Sequence, residues 1–182
     1  MWDQGNISGG TVNNQGVLQQ SASAASLDGV VNIYIPADAT LVDSAGNPLT
    51  NISITPIAPP ADPPADYQIL KTFEFTPSGA QFNPGITITI SFDPATVPAG
   101  KTVVIAFYNA ATAKWEFIPG TINSDNTATF TVTHFSEYSL MYNGAAKSST
   151  NVAMWVGIAV VGILLALLIA ILLMRRRKTA KA

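Results

Sequence analysis

The sequence predicts an all-β fold, a two-sheet antiparallel sandwich, followed by one C-terminal transmembrane α-helix. Three observations predict it. From Leu27 onward, short runs of β-branched and aromatic residues are separated by Pro, Gly, Asn and Asp. All 12 prolines fall between Pro36 and Pro119, and no stretch there has the spacing of a long amphipathic helix. Val152 to Met174 is then an unbroken run without a charge, closed by Arg175, Arg176, Arg177 and Lys178.

Residues 1–26 are rich in Asn, Gln, Ser, Gly and Ala and lack periodicity, so they read as a polar tail or an added edge strand. Residues 27–142 hold the sandwich. Its clearest strand is Ile86 to Phe92, with Ile86, Ile88, Ile90 and Phe92 on a buried face and Thr87, Thr89 and Ser91 on a wet one. Thr127 to Thr133 alternates likewise, with Ala128, Phe130 and Val132 inward, whereas Val103 to Tyr108 is apolar on both parities and reads as a central strand. Val30 to Ile35, Ile52 to Ile57, Tyr67 to Phe75, Trp115 to Ile118 and Tyr138 to Tyr142 complete a set of eight or nine strands. Turn chemistry separates them at Asp43 to Pro48, Pro77 to Gly79, Pro98 to Gly100 and Asn123 to Asn126. The four prolines within Ala58 to Ala65 donate no ladder bonds, which makes that segment a stiff surface loop or an edge cover.

Residues 143–151 form a linker that reaches about 30 Å at most. Residues 152–174, as a helix, rise about 34 Å, enough for a hydrocarbon core of about 30 Å. The basic cluster in residues 175–182 sets the direction: the C-terminus is expected in the cytoplasm and the sandwich outside. Trp155 and Tyr142 fit as interface anchors. Gly162, Ala166 and Ala170 recur every four residues and would let a second helix approach closely, although small residues are common in any spanning helix. Met1 to Gly16 has neither a basic n-region nor an apolar h-region. Either residue 1 is not the natural start, the preferred reading, or the chain inserts by its C-terminal helix.

Composition narrows the function. All 11 acidic residues precede Val152, against four lysines there, Lys71, Lys101, Lys114 and Lys147. So acidic a body argues against nucleic acid as a partner. Zero Cys excludes disulfides, thiolate nucleophiles and Cys-ligated zinc, and a single histidine, His134, excludes a His-rich metal site. Asp43, Asp62 and Asp66 suggest calcium only weakly, because no D-x-D-x-D-G loop occurs, and no metal or other cofactor is assigned. Trp115 with Tyr108 offers a sugar-stacking platform, against the simpler reading that Trp115 and Phe117 are core. Asn6-Ile-Ser8 and Asn51-Ile-Ser53 match the N-glycosylation pattern. No small-molecule substrate is evident. The expected partners are the lipid bilayer and other surface or membrane proteins.

Across Gly29 to Tyr142 the chain resembles β-sandwich modules of large archaeal and bacterial cell-surface proteins. Those are distantly similar to the sandwich domain of zonula occludens proteins, netrin receptors and ankyrins. The residues that carry the resemblance are Ala37 to Ile57, the Pro-rich loop with Pro59, Pro60, Pro63 and Pro64, Phe75 to Pro94, Val103 to Gly120 and Thr133 to Met141. It implies a fold and display outside the cell near a C-terminal anchor. It also implies one chemistry: in some relatives a His-Phe-Ser triplet cleaves itself, and His134, Phe135 and Ser136 match it. Ser136 would attack the carbonyl of Phe135, with His134 as base. By parity His134 is expected on the inward face, next to Val132 and Phe130, and a lone histidine there reads more simply as a core residue.

Overall fold

Among the residues that the computed structural model describes, 11–26 and 28–144, eleven strands form two antiparallel sheets packed as a sandwich. The strands are β1 (Ala22–Ala25), β2 (Val31–Ile35), β3 (Thr40–Val42), β4 (Ser53–Pro56), β5 (Tyr67–Thr76) and β6 (Gln81–Ser91). They continue with β7 (Val103–Asn109), β8 (Lys114–Ile118), β9 (Gly120–Ile122), β10 (Thr127–His134) and β11 (Glu137–Asn143). The first sheet has the order β1-β2-β6-β10-β9, with β3 also pairing β6, and the second has β4-β5-β11-β7-β8. Inward residues of both sheets make one core, in which Ile33, Ile88, Phe130, Phe75, Tyr138 and Leu140 are all buried.

Each strand expected from alternation is present, with modest shifts at its ends. The expected Ile86 to Phe92 strand is the second half of the longer β6. Its first half passes through Pro84, a residue that donates no ladder bond. It is tolerated because the pairing changes hands there: β3 pairs residues 81–83 of β6, and β2 pairs residues 87–90. Opposite this junction, β10 slips register between Val132 and His134. Gly85 is needed at the slip, since a Cβ there would lie 2.8 Å from the Val132 carbonyl oxygen.

Of the two readings of residues 1–26, the edge strand is realised in part. Ala22 to Ala25 pairs with β2 in the register Ala22↔Ile35, and alternate alanines are buried. Ahead of it, Leu18 is fully buried, and its amide donates to the Ala39 carbonyl at 2.9 Å. Neither β3 nor β9 appears in the sequence reading, because three residues are too few to show a period.

The face of the second sheet turned away from the first is also covered. Thr72, Ala106, Ser139 and Met141 are buried there, although their strand neighbours Phe73, Ile105, Tyr138 and Leu140 point into the core. The Pro-rich loop folds over this face, where Trp115 Nε1 donates to the Asp62 carbonyl at 2.9 Å, and Tyr67 packs on Phe117 with centroids 4.6 Å apart. Thr72 and Ser139 satisfy one another there, hydroxyl to hydroxyl at 2.7 Å. Ser139→Ala strands the Thr72 hydroxyl and is expected to lose about 1–3 kcal/mol in urea unfolding. Adding Thr72→Val removes the stranded group and should recover most of that loss.

Candidate functional site

His134, Phe135 and Ser136 form the corner where the chain crosses from β10 in the first sheet to β11 in the second. The register slip in β10 corrects the parity expectation: His134 is only half-buried, and Phe135 takes the inward position at 1% exposure. The Phe135 ring packs edge-on against Phe82 at 4.6 Å and tilted against Phe75 at 5.6 Å. His134 instead lies edge-on to Phe107, with ring centroids 5.4 Å apart.

The backbone of the corner is pinned on both sides. Phe135 N–H donates to the Ala80 carbonyl at 2.9 Å, and the Phe135 carbonyl accepts from Gly79 N–H at 3.2 Å. The Ser136 carbonyl accepts from Phe75 N–H at 3.2 Å, and the buried Tyr138 hydroxyl donates to the His134 carbonyl at 2.8 Å. Burial pushes the Tyr138 phenol far above its ordinary pKa, so it stays a donor.

For self-cleavage, one part is in place and one is not. The Gly79 amide lies on the carbonyl that would become an oxyanion. A base must reach the attacking hydroxyl, however, and Ser136 Oγ donates to the Tyr108 carbonyl at 3.4 Å, with no hydrogen bond to His134. The triplet is therefore brought together as a structural corner, without a nucleophile–base contact.

Two recesses flank the corner. One, of about 380 Å³, is lined by Glu74, Phe107, Tyr108, His134, Ser136 and Glu137, among others. Glu74 and Glu137 are direct cross-strand partners. Burial, and then the Glu74 charge, hold the Glu137 carboxyl above its usual range. The folded state thus holds that proton more tightly than the unfolded chain does. The resulting stability is present below the ordinary glutamate pKa of 4.5 and is lost as pH rises through the higher folded value. Glu137→Gln is expected to flatten this part of the profile, seen as a smaller fall in unfolding midpoint between about pH 4 and pH 7.

The second recess, of about 550 Å³, opens on the outer side of the first sheet, lined by residues of β3, β6 and β10 together with Gly79. Its setting was not visible strand by strand. None of β1, β2, β3, β6, β9 and β10 contains an Asp, Glu, Lys or Arg, whereas the second sheet carries Lys71, Glu74, Lys114, Glu116 and Glu137. The outer face of the first sheet is instead a field of hydroxyls in register, Thr89↔Thr129 and Thr87↔Thr131, joined at one point by a 3.1 Å bond between the Thr89 and Thr129 hydroxyls. The threonine alternation in Ile86 to Phe92 and Thr127 to Thr133 was the available signal, and pairing turns it into a surface.

The remaining candidates are dispersed. The Asp43 carboxylate accepts from the Ala45 amide at 2.8 Å and from the Asn47 amide and side chain at 2.8 and 3.0 Å, so it closes its own turn. Those bonds, the Asn47 side chain's first, hold it below the usual carboxylate range. Among the described residues, no group of three or more His, Asp or Glu is placed to hold a metal ion. Trp115 and Phe117 are not core. They stand on the outer face of edge strand β8, Trp115 half-buried beside Tyr108 and Phe117 46% exposed. Asn51 is exposed, and Asn6 lies outside the described residues. So do Gly162, Ala166, Ala170, Arg175, Arg176, Arg177 and Lys178, as well as the whole Val152 to Met174 run. Among the described residues, no helix is long and apolar enough to cross a membrane. No family model matches the chain, and no curated protein matches it closely enough to place it in a family.

Proposed function

We propose that the chain is a single-pass cell-surface protein whose sandwich stands outside the membrane as a structural or interaction module without catalysis. The observation that carries this reading is the uncharged run Val152 to Met174 with Arg175, Arg176, Arg177 and Lys178 at one end and every acidic residue on the other side. The Ser136 hydroxyl, held on the Tyr108 carbonyl, supports a corner that is not a cleavage site. The partners on this reading are lipid and other surface or membrane proteins.

Protease added to sealed cells tests the topology. The sandwich should become accessible while an epitope placed after Lys178 survives until the cells are opened, and the reverse pattern overturns the reading. Intact mass after denaturation tests the absence of self-cleavage: one uncut species is expected, and fragments meeting between Phe135 and Ser136 would show the triplet to be reactive. The four-residue spacing of Gly162, Ala166 and Ala170 favours a second reading, a subunit docked through its helix in a membrane complex. Ala166→Leu would then release co-purifying proteins.

A further inference from the structure

We propose that the recess at the β3–β6–β10 corner, with the hydroxyl field beside it, binds a neutral carbohydrate chain. Its volume of about 550 Å³ lies in the range of ligand sites. Thr40, Gln81, Asn83, Thr133 and His134 supply its polar lining. Pairing fixes their spacing, since Thr40 stands opposite Asn83 and Gln81 opposite His134.

Charge selects the ligand class. The lining holds no Asp, Glu, Lys or Arg, so no carboxylate, ammonium or guanidinium there selects a cation, a phosphate or an acidic sugar. Carboxamides and hydroxyls each donate and accept, as sugar hydroxyls do, and therefore match them in either direction. Some polar side chains elsewhere are engaged within the protein, as Asp43 is with Asn47, Asn109 with Glu116 and Asn123 with Thr127. The side chains of Thr40, Gln81, Asn83 and Thr133 make no hydrogen bond to another described residue, and Gln81, Asn83 and Thr133 are exposed. Their hydrogen bonds are open to a ligand.

The same face supplies a path and a ring. From the recess, Thr131 and Thr87 lead along β10 and β6 to Thr129 and Thr89. Tyr34, 52% exposed and opposite Thr87 on β2, offers an aromatic surface to the C–H face of a pyranose. An apolar ligand would leave the carboxamides unpaired, and a protein partner gains no charge pairing here.

The full chain, held in a detergent without a sugar headgroup, can be passed over immobilised cellulose, chitin, mannan and polygalacturonate. Retention on at least one neutral polymer, and none on the anionic one, is expected. The Gln81→Ala, Asn83→Ala double variant should weaken retention about tenfold. Both side chains are exposed and form no internal hydrogen bond, so the variant's thermal unfolding should match that of the parent chain. Tyr34→Ala gives an independent check away from the recess. The proposal is overturned by retention on none of the neutral polymers, by retention on polygalacturonate alone, or by retention that the double variant leaves unchanged. The recess lies wholly within the sandwich, so the result does not depend on whether the chain is anchored.

Discussion

Phe135→Ala is expected to destabilise the sandwich by about 3–5 kcal/mol, the cost of removing a buried aromatic ring and leaving a cavity. The ring is 1% exposed and touches Phe75 from β5 and Phe82 from β6, one in each sheet. It fills the end of the sandwich where the chain crosses between the layers from β5 to β6 and again from β10 to β11. The cavity cannot readily collapse, because Phe135 N–H and C=O are fixed to Ala80 and Gly79 and the Tyr138 hydroxyl holds the His134 carbonyl. Thermal unfolding should fall by on the order of 10 °C. A loss below about 1 kcal/mol would mean that the corner repacks and that Phe135 is not the wedge between the layers.

Gly120→Val should be the next most damaging change, at about 3 kcal/mol, the upper end for overpacking. Gly120 opens β9 directly after Pro119, where the chain crosses back from the second sheet to the first. A Cβ there would overlap Ile105 Cδ1 and lie 2.9 Å from the Thr129 carbonyl oxygen and 3.1 Å from Phe130 Cβ. The isoleucine tip can rotate away. The Thr129 carbonyl cannot, because it belongs to β10 in the register Thr129↔Thr121. Gly120→Ala should show a smaller loss in the same direction, and a β-branched side chain the full one. Chemical denaturation of the two variants side by side tests the ordering, and equal midpoints for both and the parent would refute the close approach.

These two sites mark where sequence reading succeeded and where it stopped. Strands such as Ile86 to Phe92 and Thr127 to Thr133 were legible because β-branched alternation encodes one wet and one dry face. A period of two tells which side chains share a face. It does not tell which face is inside, which is why Trp115 and Phe117 read as core while standing on the outside of an edge strand. It also breaks at a register slip, and the slip after Val132 exchanged the expected places of His134 and Phe135. The alanines of β1 have no β-branched signature and are placed only by pairing with β2. The uncharged sheet combines strands far apart in the chain, so its surface became visible only once their order was known. The proposed anchor rests on the opposite kind of signal, an uncharged run from Val152 to Met174 so uniform that no tertiary partner is needed to read it.

The direction in which β11 runs has a mechanical consequence. Residues 11–18 pack beside β3, at the end of the sandwich that holds His134, whereas β11 ends at Asn143 opposite Tyr67, at the other end. A pull on Gly144 along the strand draws β11 lengthwise between β5 and β7, its antiparallel neighbours on both sides. Tension arriving from that side is then shared by all the ladder bonds at once rather than breaking them one after another, and the last of the described strands is held against such a load on both of its edges.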